Sequence, residues 1–329
     1  MKKQMKVKGW ILDLSKIIVF LTICVVILRC LSPIFVPKNN NKDSGIKNEN
    51  ARGFYAEDPH TVDVLFVGNS DLYSAMNPLQ LWKEHGYTSY VCAEPQQNVF
   101  GAYYMLKEVL TCQKPQLVVL EVDELFSTKE ASDVDEAINN ALKYTFPLFE
   151  YHSRWKDLKI EDFNDDGQFY NTRMKSKGYL YHSNVEPNNE GFTYMEKNRK
   201  KSITYSNKTY LKKFIELAHE NDAEVLLVWY PSSTTGSNGR SETLESLAKE
   251  LNVPYIDFNV NQYDTGFDWS TDTRDGGNHL NYSGATKMTK FIGEYLKENY
   301  QLIDHRENPE YDQWNTDYEV FMKENKLAY

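Results

Sequence analysis

The chain is poor in what several function classes require. It has four cysteines and seven histidines in 329 residues, and none falls into the paired Cys/His spacing that holds zinc. No Gly-x-Gly-x-x-Gly follows a strand-like run and no phosphate-cradling loop is present, so no cofactor or metal is expected. Excess positive charge is missing as well. Lys and Arg number 37 against 47 Asp and Glu, a formal net charge of −10. The first fifty residues hold nine Lys/Arg and only three Asp/Glu, so the acidic excess lies in the remainder. A body that acidic does not hold a polyanion by counterion release, which excludes nucleic acid as a partner. Cys24 and Cys30 sit in an apolar N-terminal stretch, leaving Cys92 and Cys112. These two fall at opposite ends of one strand–helix unit, too far apart to bridge, so free thiols are expected.

Long apolar runs are also scarce, and the one present is at the start. Lys2, Lys3, Lys6 and Lys8 precede a run from Ile17 to Leu28 that continues to Val36. Counted from Trp10 to Val36 the segment can span a bilayer, which takes about 20 residues. Asp13 and Lys16 lie near its entry and Arg29 near its exit, where long side chains reach the interface. No small-x-small cleavage site comes after it, and Arg29 precedes Cys30 where a lipoprotein signal needs a small residue. Residues 1–9 therefore read as a cytoplasmic basic segment and 10–36 as an uncleaved single-pass anchor. The body then lies outside the cytoplasm. Residues 37–54 are polar through Asn50, with Ile46 the only large apolar side chain in that stretch, and read as a flexible stalk.

Beyond the stalk, strand and helix alternate. Apolar, β-branched runs at 62–68, 87–93, 117–122, 225–229 and 253–257 predict strands. Helices are expected from Asn77-Pro78 to Gly86, over 99–110, 211–218 and 242–251, and from Ala285 to Tyr300. This order implies an α/β fold, a parallel sheet flanked by helices on both faces, in residues 55–300. Its ligand site belongs at the carboxyl ends of the strands. Residues 125–205 break the alternation and read as one insertion on that edge, helical near Ala131–Tyr144. Inside it, Asp162-Phe163-Asn164-Asp165-Asp166-Gly167 opens like a calcium loop. Arg173 stands where the bidentate glutamate belongs, so an Asx-type turn is expected. Residues 301–329, with Tyr311, Trp314, Tyr318 and Phe321, read as a strap across the body.

Two short segments carry chemistry. Gly68-Asn69-Ser70 comes directly after the first strand, which puts a serine at the sheet's carboxyl edge with turn amides beside it. Asp272-Thr273-Arg274-Asp275-Gly276-Gly277-Asn278-His279 lies after the last strand and before the last helix. From there His279 can reach the same edge, with an aspartate to fix its tautomer.

Gly68-Asn69-Ser70, with Asp275…His279-Leu280-Asn281 and Gly284-Ala285 opening the last helix, resembles the SGNH/GDSL hydrolase superfamily. The likeness runs from about Asp63 to Tyr300 and implies a flavodoxin-like three-layer fold. It is most similar to the membrane-anchored DltD-like and AlgJ-like branch associated with MBOAT acyltransferases. The resemblance implies Ser70 as nucleophile, His279 as base and Asp275 as orienter, with Asp272 the alternative. It also implies O-acyl, chiefly acetyl, transfer onto or off a cell-envelope glycan or polymer. The partners implied are an acyl donor protein or membrane acyltransferase and an extracellular glycan. The alternatives are a non-catalytic accessory subunit of such an acyltransferase, or a secreted esterase if the anchor is cleaved.

The family's oxyanion donors are incompletely matched. Its asparagine after the third strand is replaced within Glu121-Val122-Asp123-Glu124, and its glycine after the second has no counterpart in Ala93-Glu94-Pro95-Gln96-Gln97-Asn98. The Ser70 backbone N–H remains, with Asn69, Gln97 and Asn98 as candidate substitutes. Loss of one such donor costs about 3–4 kcal/mol of transition-state stabilisation, which implies slow or partner-dependent activity.

Overall fold

A computed structural model describes residues 2–126, 129–164, 167–260 and 262–327. In chain order the first elements are α1 (Lys2–Phe35), β1 (Val64–Gly68), α2 (Ser70–Ala75), α3 (Pro78–His85) and β2 (Ser89–Ala93). Next come α4 (Val99–Val109), β3 (Leu117–Glu121), α5 (Glu130–Thr145) and α6 (Leu148–Tyr151). The chain continues through α7 (Tyr205–His219), β4 (Glu224–Trp229), α8 (Asn238–Leu251) and β5 (Tyr255–Asp257). It ends with α9 (Tyr282–Asn299) and α10 (Asp312–Glu324). Two compact units result, one of Met1–Lys47 with Asn139–Tyr170 and one of Asn48–Ile138 with Asn171–Tyr329.

The larger unit is built on a five-stranded, all-parallel sheet of order β2-β1-β3-β4-β5. Every residue of β1, β2 and β3 is buried, as a sheet covered on both faces requires. Alternation within the strands sorts the core into two layers. Leu65, Val67, Val118 and Leu227 pack with Phe100 of α4, Phe214 of α7 and Leu247 of α8. Val64, Phe66, Val119 and Leu226 pack with Leu72 of α2, Leu81 of α3 and Ile292 of α9. The chain leaves β1 for β2 on one side and returns to β3 on the other, so the topological switch point lies between β1 and β3. Ligand crevices in doubly wound sheets open at the carboxyl ends of that pair.

Helix starts track their caps. Asn77 accepts from Leu79 N ahead of Pro78, and Gly86 closes α3 in the left-handed region at φ 73°. Thr204, Ser237 and Asn281 cap α7, α8 and α9, each of which begins earlier than its apolar spacing suggests. The C-terminal strap is a helix. Trp314 and Phe321 of α10 are buried, and Trp314 lies 5.6 Å from Trp82. It is fastened by Lys177, fully buried, whose ammonium donates to Glu57 at 2.9 Å and to Asp317 at 2.6 Å.

Residues 125–205 do not form one insertion. Part belongs to the smaller unit, while 171–205 lies along β2 and the loop before α9. Val91 N donates to Lys177 O at 2.9 Å, and Glu186 N to Thr273 O at 2.9 Å. The stalk reading of 37–54 also needs correction at its end. Ala51 and Phe54 are buried in the body's core, and Tyr90 donates to the Asn50 carbonyl at 2.8 Å, because these apolar groups gain more by packing than by solvation.

In the smaller unit, Leu12–Phe35 of α1 is 24 residues of mean hydropathy 2.6, long and apolar enough to cross a membrane. A signal sequence near the N-terminus meets the same test. Asp165 and Asp166 of the calcium-like motif lie outside the described residues, and Asp162 accepts from Arg154 Nη2 at 2.9 Å. The cysteines are free.

Candidate active site

The site grows from the end of β1. Gly68 is forced by crowding, since a Cβ there would lie 2.6 Å from Glu121 Cβ and 3.0 Å from Leu72 Cδ2. Asn69 comes next in extended conformation and caps the short α2, its Oδ1 accepting from Asp71 N at 2.9 Å. Ser70 thus opens a helix, where a backbone N–H has no intrahelical partner.

The second half comes from the loop before α9. Gly276 and Gly277 adopt φ of 75° and 101° in succession, a left-handed pair open to glycine at little cost. That turn folds Asp275 back over His279, which explains how an aspartate four residues upstream reaches the ring. Asp275 Oδ1 accepts from the His279 N–H at 2.7 Å, and His279 Nδ1 lies 2.5 Å from Asp275 Oδ2. On the other side of the ring, His279 Nε2 lies 2.8 Å from Ser70 Oγ. With the ring proton on Nδ1 donating to Asp275, Nε2 is free to accept from the serine. Burial would raise the Asp275 carboxyl, yet hydrogen bonds from the His279 ring and backbone hold it below its ordinary value.

Asp272 is not the orienter. It is fully buried, accepting from Asp268 N at 2.7 Å and pairing with Lys287 Nζ at 2.6 Å. Its carboxylate ties the loop to α9, and Asp272 N–H and C=O are spent on backbone bonds to Asp268 and Asn281.

The candidate oxyanion residues divide. Asn98 is a helix cap whose Oδ1 accepts from Gly101 N at 3.0 Å, so its side chain serves α4. Asn69 Nδ2 donates to Asp123 Oδ1 at 2.6 Å and to Glu124 Oε1 at 3.3 Å. Its amide is therefore turned toward carboxylates. Gln97 is buried, with both side-chain polar atoms unpartnered among the described residues. Its loop leaves β2 beside the nucleophile strand, Glu94 N donating to Gly68 O at 3.2 Å. The spare Gln97 amide and the Ser70 N–H are the donors that remain.

One group escaped the sequence reading. Asp71, directly after the serine, is buried, and its Oδ1 lies 3.6 Å from His279 Nε2. Asp71, Glu121 and Asp123 bring carboxyl oxygens within 4.8 Å of one another, all buried. Three such groups cannot all ionise together. Burial, then the Asp123 charge, pushes Asp71 and Glu121 well above the carboxylate range. Asp123 is raised less, by burial, because Glu121, Asp71 and Asn69 hydrogen-bond to it. Glu124 is pushed to about 7 by burial and the Asp123 charge. The arrangement is a proton-sharing cluster, with Asp123 accepting from its neutral neighbours. The visible signal was the run Glu121-Val122-Asp123-Glu124 where an amide was sought, beside an acid next to the serine.

No family model matches the chain, and no curated protein matches its sequence. Solved structures of acylhydrolases are similar to it at low identity. A lipase/acylhydrolase from Enterococcus faecalis is 11% identical, with 74% of this chain and 98% of that one covered and a TM-score of 0.39. A GDSL-like lipase from Bacteroides thetaiotaomicron is 13% identical over 75% and 94%, with a TM-score of 0.36. A catalytic mutant of Axe2, an acetylxylan esterase from Geobacillus stearothermophilus, is 11% identical over 74% and 96%, with a TM-score of 0.35.

Proposed function

We propose that the chain is a serine-dependent O-acyl transferase or esterase of the SGNH kind, acting outside the cytoplasm on a cell-envelope glycan or polymer. The observation that carries this reading is the line Ser70 Oγ, His279, Asp275, with contacts of 2.8 and 2.5 Å between groups 209 and 4 residues apart. Local structure gives no reason for a serine after the first strand to meet a histidine before the last helix. In the reaction, His279 Nε2 takes the Ser70 proton as Oγ bonds to the ester carbonyl carbon, while Asp275 steadies the imidazolium. The tetrahedral intermediate expels the alcohol, which takes the proton from His279 and leaves an acyl group on Ser70. Water or a sugar hydroxyl, deprotonated by the same imidazole, then bonds to the acyl carbon, and the imidazolium returns its proton to Ser70 Oγ as the Oγ–acyl bond breaks.

A second reading has its own observation. The Asn69 amide is engaged by Asp123 and Glu124, which leaves the site short of a donor to a developing oxyanion. A non-catalytic accessory subunit of a membrane-bound MBOAT O-acyltransferase would tolerate that. The two part company in one assay. Purified full-length protein in detergent is given a small acetyl ester and, separately, a fluorophosphonate probe. The enzyme reading expects ester turnover and labelling at Ser70, both lost in Ser70→Ala. Absence of both from the wild type refutes it in favour of the accessory subunit.

A further inference from the structure

Part of the smaller unit reverses the pattern of a water-facing surface. Arg154 and Asp162 are buried, and Arg154 is turned toward the end of α1, donating from Nη1 to the Phe35 carbonyl at 2.6 Å and from Nη2 to Asp162 at 2.9 Å. Their apolar neighbours are left bare. Trp155 is 64% exposed, Phe163 64% and Ile160 83%. Phe169, held against Lys38 by a backbone bond of 2.8 Å, is 67% exposed. An aqueous surface would favour the reverse, with the guanidinium and carboxylate outside and the rings packed.

We propose that Trp155, Ile160, Phe163 and Phe169 form a lipid-facing rim that seats in the bilayer interface where α1 leaves the membrane. The proposal rests on α1 crossing the bilayer and is independent of the chemistry at Ser70. At 1.5 Å per residue the 24-residue span measures about 36 Å, against about 30 Å of hydrocarbon. Phe35 therefore lies at the edge of the apolar layer or just beyond it. Whatever is fastened to its carbonyl lies at headgroup level. Aromatic rings favour that depth, having an apolar body and tolerance for a wet rim. Lys156 and Lys159 are exposed beside the rings, where ammonium groups meet lipid phosphates. Continuity with the anchor thus selects lipid over a protein partner as the occupant.

Tryptophan quenching tests this in the intact chain. Of its six tryptophans, Trp82, Trp229, Trp269 and Trp314 are buried in the body, leaving Trp10 at the far end of α1 and Trp155 in the rim. Full-length protein is reconstituted into phosphatidylcholine vesicles whose acyl chains are brominated close to the headgroup. In Trp10→Phe, brominated lipid is expected to remove the fluorescence share of one tryptophan among the five that remain. Adding Trp155→Phe should abolish that loss. If Trp10→Phe is unquenched, the rim does not touch lipid, whether Trp155 then lies in water or under a second protein, and the proposal is overturned. Trp155→Phe alone reports Trp10. Quenching there with none in Trp10→Phe overturns the rim and leaves the anchor standing, while quenching in neither removes both.

Discussion

Ser70 meets an imidazole with a carboxylate behind it, and nearby stand four carboxyl groups, two of which, Asp123 and Glu124, have taken up the neighbouring asparagine amide. Both regions come from loops at the carboxyl edge of the same sheet, and both are rich in acid. They differ in what each acid faces. Asp275 faces N–H groups, so its charge is welcome and its pKa falls. Asp71, Glu121 and Asp123 face one another in a buried space, so protons are retained. The same side-chain chemistry thus yields a fixed anion behind the imidazole and a proton-retaining cluster beside the serine, in which Asp71 and Glu121 are neutral around Asp123. A neutral Asp71 does not repel a carbonyl oxygen gaining charge, whereas an ionised one does. The comparison therefore predicts that the imidazole side sets whether the chemistry occurs and the carboxyl side sets the pH range in which it occurs.

The largest expected effect tests the shared centre. Ser70→Ala should reduce ester turnover by about 10⁴-fold or more, with unchanged thermal stability. Equal rates in mutant and wild type would dissolve the comparison altogether.

Next in size is the orienter. Asp275→Asn should lower kcat by about 10³–10⁴-fold through the wrong tautomer, with little change in Tm because Asp275 is exposed. Asp272→Asn should do the opposite, leaving a folded fraction nearly as active but lowering Tm by several degrees, since Lys287 loses its buried partner. A reversed pattern would put the two aspartates in each other's roles.

A third prediction concerns the carboxyl side directly. As pH rises, the cluster gives up its shared protons and kcat/KM should fall on an alkaline limb. The groups facing Asp71 are Glu121, Asp123, Glu124, Asp275 and His279, with Tyr73 on its own helix. Asp71→Asn keeps a neutral polar group in place and removes one titrating acid. It should raise activity on the alkaline limb by about tenfold relative to wild type and leave the acidic limb alone. An unaltered alkaline limb would show that the cluster does not govern the site.

The effect furthest from the chemistry is on stability. Glu124 is raised from 4.5 to about 7, mainly by burial. A group with a raised folded pKa contributes fully below its unfolded value and loses that contribution as pH rises through the folded one. Unfolding free energy should therefore decline between about pH 4.5 and pH 7. Glu124→Gln retains an oxygen for the Asn69 amide and removes this residue's share of the decline, worth about 2 kcal/mol at pH 8 after allowance for coupling. Parallel urea-unfolding curves for mutant and wild type at pH 5 and pH 8 would contradict it.

The strands were legible because each is a short, almost wholly buried run, and the alternation of runs with amphipathic segments leaves little but a doubly wound sheet. The cap at Asn77 was read from a single residue, whereas those at Thr204, Ser237 and Asn281 were not, because the apolar spacing of their helices starts later. Helix α10 was legible too, though it was read as a strap. Tyr311, Trp314, Tyr318 and Phe321 recur at intervals of three and four, the period of one helix face. Ser70, His279 and Asp275 could be nominated from strand ends and a glycine-flanked loop, since positions at a sheet's carboxyl edge converge whatever their distance in the chain.

What the sequence could not determine was the direction in which side chains turn once the edges meet. Asn69 and Asn98 were equally good donors by residue type and position. Packing made the first a partner of Asp123 and the second the cap of α4. Asp272 and Asp275 differ by three positions, and two left-handed glycines decided which of them meets the imidazole. Nor does any local pattern bring Asp71 to Glu121 and Asp123. That meeting results from β1 and β3 lying side by side at the switch point, where register sets the distance between residues just past each strand. Composition and periodicity specify which surfaces must be buried. Which polar groups find each other within that burial is fixed only when the whole sheet closes, because a hydrogen bond depends on fractions of an ångström and the hydrophobic pattern does not.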